Sequence, residues 1–188
     1  MSYKWNTRTE LLLGAERMEY LSHCHVLVVG LGGVGAYAAE QICRAGIGHM
    51  TIVDADTVND SNINRQLPAL HSTLGMQKAE VVGQRLLDIN PRLKLTILNE
   101  FLRDERTEEV LSAQKYDFIV DAIDSLSPKA YLLYHAYRRE IPIVSSMGAG
   151  AKIDPSQVKI ADISKTCNCA LAKAVRKRLR GMGLNKGI

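Results

Sequence analysis

The 188-residue chain has no C-x-x-C pair. Its four cysteines, Cys24, Cys43, Cys167 and Cys169, build neither a tetrahedral zinc site nor a disulfide framework at that spacing. No apolar run approaches the ~20 residues that a membrane span needs. The polar stretch 1–10 lacks the apolar core of a signal peptide, so a cytoplasmic location is expected. Internal repeats and low-complexity segments are absent as well. From residue 163 onward there is no acidic residue, against seven basic ones: Lys165, Lys173, Arg176, Lys177, Arg178, Arg180 and Lys186. The remainder carries 17 basic and 20 acidic residues, so the net charge of +4 hides a mildly acidic body and a basic end. Such an asymmetry points to a polyanionic partner.

What is present suits a single α/β domain over 1–188, with 46% hydrophobic and 23% charged residues. Val26-Leu27-Val28-Val29 reads as a buried strand that ends on glycine. The glycines then fall as G-x-G-x-x-G at Gly30, Gly32 and Gly35, with Gly33 as an extra. Val34, Ala38 and Ile42 recur at helical spacing, so the loop joins a strand to a helix. Glycines let the backbone turn tightly and let a phosphate approach main-chain N–H groups at the positive end of the helix. The motif does not say which nucleotide is bound.

Residues 7–21 read as one or two short helices within an N-terminal helical segment, 1–24, and they carry Arg8. Met50–Val53 is a second strand running into Asp54-Ala55-Asp56. Asp54 lies 19 residues beyond Gly35, where an acid at a strand end hydrogen-bonds a ribose; an ordinary turn residue would also fit. The stretch 55–75 has little periodicity, and a loop that long is uncommon unless it is functional. It holds Asn62, Asn64, Arg65 and Gln66. Met76–Ile89 reads as a helix with Lys78 in its first turn, unfavourable for a cation unless an anion lies nearby.

Strands are then expected at 93–98, 118–120, 141–145 and 158–163, and helices at 104–113, 128–139 and 170–180. The strand Phe118-Ile119-Val120 leads into Asp121-Ala122-Ile123-Asp124-Ser125. One carboxylate there could hold a magnesium ion bridging phosphates, or Asp124-Ser125 could cap the next helix; both roles can coexist. The class expected is a Rossmann-like, mostly parallel sheet with helices on both faces. Glycine loop, acidic strand end, Asn/Arg/Gln loop, helix-start lysine and D-x-x-D describe a nucleoside triphosphate site. A dehydrogenase has no use for the added cations and carboxylate, which suit attack of a carboxylate on an α-phosphate.

The pieces G-L-G-G-V-G at 30–35, D-A-D at 54–56, N-x-N-R-Q at 62–66, Lys78 and D-A-I-D-S at 121–125 resemble the ubiquitin-activating-enzyme-like adenylyltransferases over nearly the whole chain. The resemblance implies that Asp54 binds the ATP ribose, that Arg65 and Lys78 hold phosphates, and that Asp124 is the magnesium-linked aspartate. It places Asp56, Asn62, Gln66, Asp121, Ala122 and Ser125 around the same nucleotide. Arg8 matches an arginine that reaches the ATP of a second subunit, which implies a homodimer.

The phrases A-E-x-I-C-R-A-G-I-G, D-A-I-D-S-L-S-P-K and G-A-G-A-K-I-D-P-S-Q are similar to the tRNA threonylcarbamoyladenosine dehydratase branch. That branch activates the threonylcarbamoyladenosine carboxylate with ATP and closes it to a cyclic form, releasing AMP and pyrophosphate. The helix bearing Lys173, Arg176, Lys177, Arg178 and Arg180 fits a tRNA contact in this setting. Two departures stand out. The branch has Asp-Pro-Leu where this chain has Cys169-Ala170-Leu171, and its pattern continues beyond residue 188, so the basic end 165–188 reads as shortened. Cys167 and Cys169 before a basic helix are in a setting that favours a thiolate, though they also read as small space-filling residues. Two other functions are kept open. One is an adenylyltransferase acting on a ubiquitin-like sulfur carrier. The other is a non-catalytic nucleotide-binding module in a sulfur-relay or tRNA-maturation complex, with a cysteine desulfurase and its acceptor as partners.

Overall fold

Val26 and Val28 pack on one face of the first strand, Leu27 and Val29 on the other, and all four are buried. A strand covered on both sides needs no polar face, which is why it reads as a continuous apolar run. The computed structural model describes residues 4–188. Met1–Tyr3 of the expected N-terminal segment lie outside them.

Helices α1 (Thr7–Leu13) and α2 (Ala15–His23) precede the sheet. The sheet comprises β1 (His25–Val29), β2 (His49–Val53), β3 (Lys94–Leu98), β4 (Phe118–Asp121) and β5 (Ile143–Ser145). Its order is β3-β2-β1-β4-β5 and every pairing is parallel. Between the strands run α3 (Gly35–Ala45), α4 (Lys78–Ile89), α5 (Asp104–Ala113) and α6 (Leu126–Arg138). Ala36, Ala39 and Cys43 of α3 join Ala79, Val82 and Leu86 of α4 against Val26, Val28, Met50 and Ile52. On the opposite face Val110 and Leu111 of α5 join Leu132 and Ala136 of α6 against Leu27, Val53 and Ile119. The final helix, α7 (Ala170–Gly181), rests on α6 through Val175 and Leu179 against Ala130 and Leu133. The Rossmann-like α/β fold is as the strand and helix pattern implies.

The strand expected over 158–163 does not form. Pro155–Gln157 and Ile163–Lys165 are 3-10 turns, and Val158 and Ile160 stand 80% and 97% exposed. Their alternation finds no neighbouring strand to pair with, and a lone extended segment has no ladder to hold it. Two further 3-10 turns, Asp60–Asn62 and His71–Thr73, lie within the long loop after β2. Helix α6 starts at Leu126, two residues before the expected Pro128.

Candidate functional site

Strand order reverses about β1 and β4, which opens a crevice at the carboxyl edge of the sheet. Register brings three loops to one level there. Val29 lies opposite both Val53 and Asp121, so Gly30, Asp54 and Ala122 are the next residues of adjacent strands. Gly30 N–H donates to Val53 O at 2.8 Å, and Ala122 N–H donates to Val29 O at 2.8 Å.

The four glycines do different work. Gly30 has φ +87°, and a Cβ on it would lie 2.7 Å from Ala122 O. A Cβ on Gly35 would overlap Gly30 O and come 3.0 Å from the Ala122 methyl. These two let the loop close on β4. At Gly32 and Gly33 the nearest atoms to a Cβ are 3.5 Å away, on Gln66 Nε2 and Arg65 O. Their bareness leaves a cradle between the loop and the Arg65-Gln66 segment, at the open N-terminus of α3. Gln66 turns its Nε2 toward Gly32, while its Oε1 is buried with no hydrogen-bond partner.

Asp54 secures this loop. One carboxylate oxygen accepts from Leu31 N–H at 2.6 Å, the other from Asp56 N–H at 2.8 Å. Burial pushes its pKa above the ordinary carboxylate value, against the pull of those two donors and of Lys78. Lys78, the first residue of α4, is buried. Its Nζ donates to Asp56 Oδ2 at 2.8 Å, and its N–H donates to Asp56 O at 2.9 Å. The unfavourable helix-start charge therefore has a partner within the chain, and a phosphate is not required to account for it.

Arg65 is exposed and faces Gly33 with its aliphatic stem. Its guanidinium donates to Ser61 O at 3.0 Å and to Asn64 Oδ1 at 2.9 Å, which sets its direction without using up its charge. Asn62 is buried and accepts from Asn59 N–H at 3.1 Å, so its side chain braces the loop. On the other side of the crevice Asp124 is exposed and pairs with no cation among the described residues. Ser125 occupies the N-cap position of α6 but makes no side-chain cap bond, so the capping alternative finds no support at that hydroxyl.

Sequence reading missed Lys129 and Ser145. Asp121, fully buried, accepts from Lys129 Nζ at 2.7 Å, Ser145 Oγ at 2.6 Å and Ile123 N–H at 3.0 Å. The network ties β4, β5 and α6 together beneath the Asp124 loop. Asp121 thus points inward, holding the site from below.

Arg8 lies exposed on α1, and no hydrogen bond or ion pair among the described residues joins it to this cluster. Lys173, Lys177, Arg178 and Arg180 are exposed on α7, and Arg176 is half-buried. Cys169 caps α7, its sulfur accepting from Ala172 N–H at 3.4 Å. Burial opposes the thiolate, yet the backbone bonds prevail and lower its pKa below the ordinary thiol value. Cys167 is exposed and free. No helix among the described residues is long and apolar enough to cross a membrane.

A family model described as the ThiF family matches residues 3–188. The tRNA threonylcarbamoyladenosine dehydratase of Bacillus subtilis is 42% identical over 182 residues, covering 97% of this chain and 71% of the relative. Among solved structures, the Escherichia coli tRNA N6-threonylcarbamoyladenosine dehydratase TcdA in complex with ATP superposes with a TM-score of 0.91. It is 38% identical, over 94% of this chain and 72% of that one. The same E. coli enzyme in complex with AMP gives a TM-score of 0.91 at 40% identity, over 95% of this chain and 74% of that one.

Proposed function

The chain belongs to the ThiF family, and from that membership we propose that it is an ATP-dependent tRNA threonylcarbamoyladenosine dehydratase. The observation that carries the reading is the cradle at Gly32 and Gly33, bordered by Arg65 and by the side-chain amide of Gln66. It opens at the same carboxyl edge as Asp124, in a fold superposable on an ATP-bound relative. The sulfur-carrier alternative has less support: two dehydratases match 97% and 96% of this chain at 42% and 39% identity, against 74% at 33% for a molybdopterin-synthase adenylyltransferase.

In this reading the N–H groups of the glycine loop and the first turn of α3 receive the phosphates, where the helix dipole favours negative charge. Arg65 and Lys78 neutralise the charge that develops as the substrate carboxylate attacks the α-phosphorus. That bond forms as the phosphoanhydride between the α- and β-phosphates breaks, so pyrophosphate leaves and an acyl-adenylate remains. A carbamoyl heteroatom then closes on the activated carbonyl and expels AMP. Asp54 serves the ribose while it fixes Leu31.

The magnesium assignment rests on the donor set. No cluster of three or more His, Cys, Asp or Glu side chains suited to a metal occurs among the described residues. A lone exposed carboxylate such as Asp124 fits magnesium, which takes one or two carboxylates plus phosphate oxygens and waters. Bound there, the ion would offset phosphate charge. Arg8 completing the site of a second copy remains part of the same proposal. Incubating the protein with ATP, magnesium and threonylcarbamoyladenosine-bearing tRNA, followed by mass analysis of the nucleosides, tests it. Loss of one water from the modified nucleoside, with one pyrophosphate per turnover, is expected. Pyrophosphate release driven only by a Gly-Gly-tailed protein would overturn it.

A further inference from the structure

We infer that the groove between α7 and the turn Ile163–Lys165 seats the phosphate backbone of the RNA substrate, and that Arg178 takes no part in it. The groove is about 780 Å³ and is lined by Ser164, Thr166, Lys173, Arg176, Lys177 and Arg180. The inference rests on the tRNA reading above and narrows the five basic residues of α7 to one stripe.

The stripe follows from helix geometry. At about 100° per residue, Lys173, Arg176, Lys177 and Arg180 share one side. Ala172, Val175 and Leu179 turn the other way and are buried. Arg178 falls outside the stripe and does not line the groove. Arg176 forms part of the wall, its guanidinium donating to Thr166 O at 2.8 Å and also to Thr166 Oγ1. Lys173, Lys177 and Arg180 have no carboxylate partner among the described residues. The acid beside the groove, Asp162, is already engaged by Ser164 N–H at 2.8 Å, Ser164 Oγ at 2.5 Å and Gly187 N–H at 2.6 Å.

The lining selects the occupant. It contains cations, hydroxyls and alanines, with no aromatic and no large aliphatic side chain. A protein partner would need a buried apolar or aromatic anchor, and base readout would need stacking faces. A row of cations about one helical turn apart instead follows a chain of phosphodiesters, which positions an RNA without reading its sequence. The row also leads toward the crevice. Cys169, at the head of α7, donates through Sγ to Gly148 O at 3.6 Å. Gly148 lies in the loop that leaves β5, and Ser146 of that loop donates to Asp121 O at 2.8 Å.

The test measures tRNA affinity by fluorescence anisotropy across a salt series, for the wild type, the triple variant Lys173→Gln/Lys177→Gln/Arg180→Gln, and Arg178→Gln. All four positions are exposed, and circular dichroism melts establish that each variant folds. The plot of log affinity against log salt is expected to lose a slope of about two to three units in the triple variant, at under one unit per phosphate contact. Arg178→Gln keeps the wild-type slope. Equal slopes for the triple variant and the wild type, or an equal loss in Arg178→Gln, would overturn the groove. If the wild type makes the cyclic nucleoside but the triple variant keeps its slope, the activity stands and the groove falls. If the slope drops as expected and no product forms, the groove stands and the activity falls.

Discussion

Lys129 Nζ lies 2.7 Å from Asp121 Oδ2, and neither side chain has any exposure. Removing one member of a fully buried ion pair leaves an uncompensated charge. Lys129→Met should therefore cost about 3–5 kcal/mol in urea denaturation. The double variant Asp121→Asn/Lys129→Met should recover part of that loss, since an amide can still meet Ser145 and Ile123. A loss below about 1 kcal/mol in the single variant would mean that another group takes over Asp121.

Asp124 and Arg65 are exposed, and the contacts of Arg65 stay within its own surface loop and the facing Gly33, so their removal should spare the fold. Asp124→Ala and Arg65→Ala should each lower pyrophosphate formation by about 10²–10³-fold, the usual effect of deleting one charge-stabilising group. Their melting temperatures should match the wild type. Turnover at the wild-type rate in both variants would remove these residues from the site.

The glycine loop separates folding from ligand binding. Gly30→Ala forces a side chain into φ +87° and against Ala122 O. It should cost about 1–3 kcal/mol from the backbone alone. Gly32→Ala meets only Gln66 Nε2 at 3.5 Å, an ordinary contact. That variant should melt like the wild type yet bind ATP more weakly by calorimetry, because the methyl enters the cradle. Unchanged ATP affinity in Gly32→Ala would move the phosphates elsewhere.

The strand, glycine loop and helix that form the centre were legible because a parallel sheet covered on both faces writes itself as short apolar runs. Asp54 was legible by its distance from Gly35. Lys129 was not: a lysine in an amphipathic helix reads as solvated, and its partner eight residues earlier meets it only across the β4–α6 turn. Lys78 was found, but its pairing with Asp56 depends on the bridge that places Thr57 beside Gln77, a contact with no local signal. Val158 and Ile160 misled in the opposite sense. Their alternation suits a strand, but strand formation is decided by a neighbour, which a single segment cannot reveal.

His25 gives the fold a pH dependence remote from the nucleotide. It sits at the amino end of β1, buried, with Nε2 2.9 Å from Thr51 Oγ1. Burial pushes its pKa below the ordinary 6.5; His49 adds to the shift and Asp117 opposes it. Because the folded value is the lower one, the unfolded chain takes up the proton first as pH falls. The contribution is complete above 6.5 and is lost as pH drops from there through the folded value. The unfolding free energy from urea denaturation should accordingly fall on acidification, by at most about 1.4 kcal/mol per pH unit for this one group. His135 is shifted the same way, again by burial first, so His25→Gln should flatten only part of the slope. Adding His135→Gln should flatten more of it. An unaltered slope in His25→Gln would place the titrating proton on another side chain.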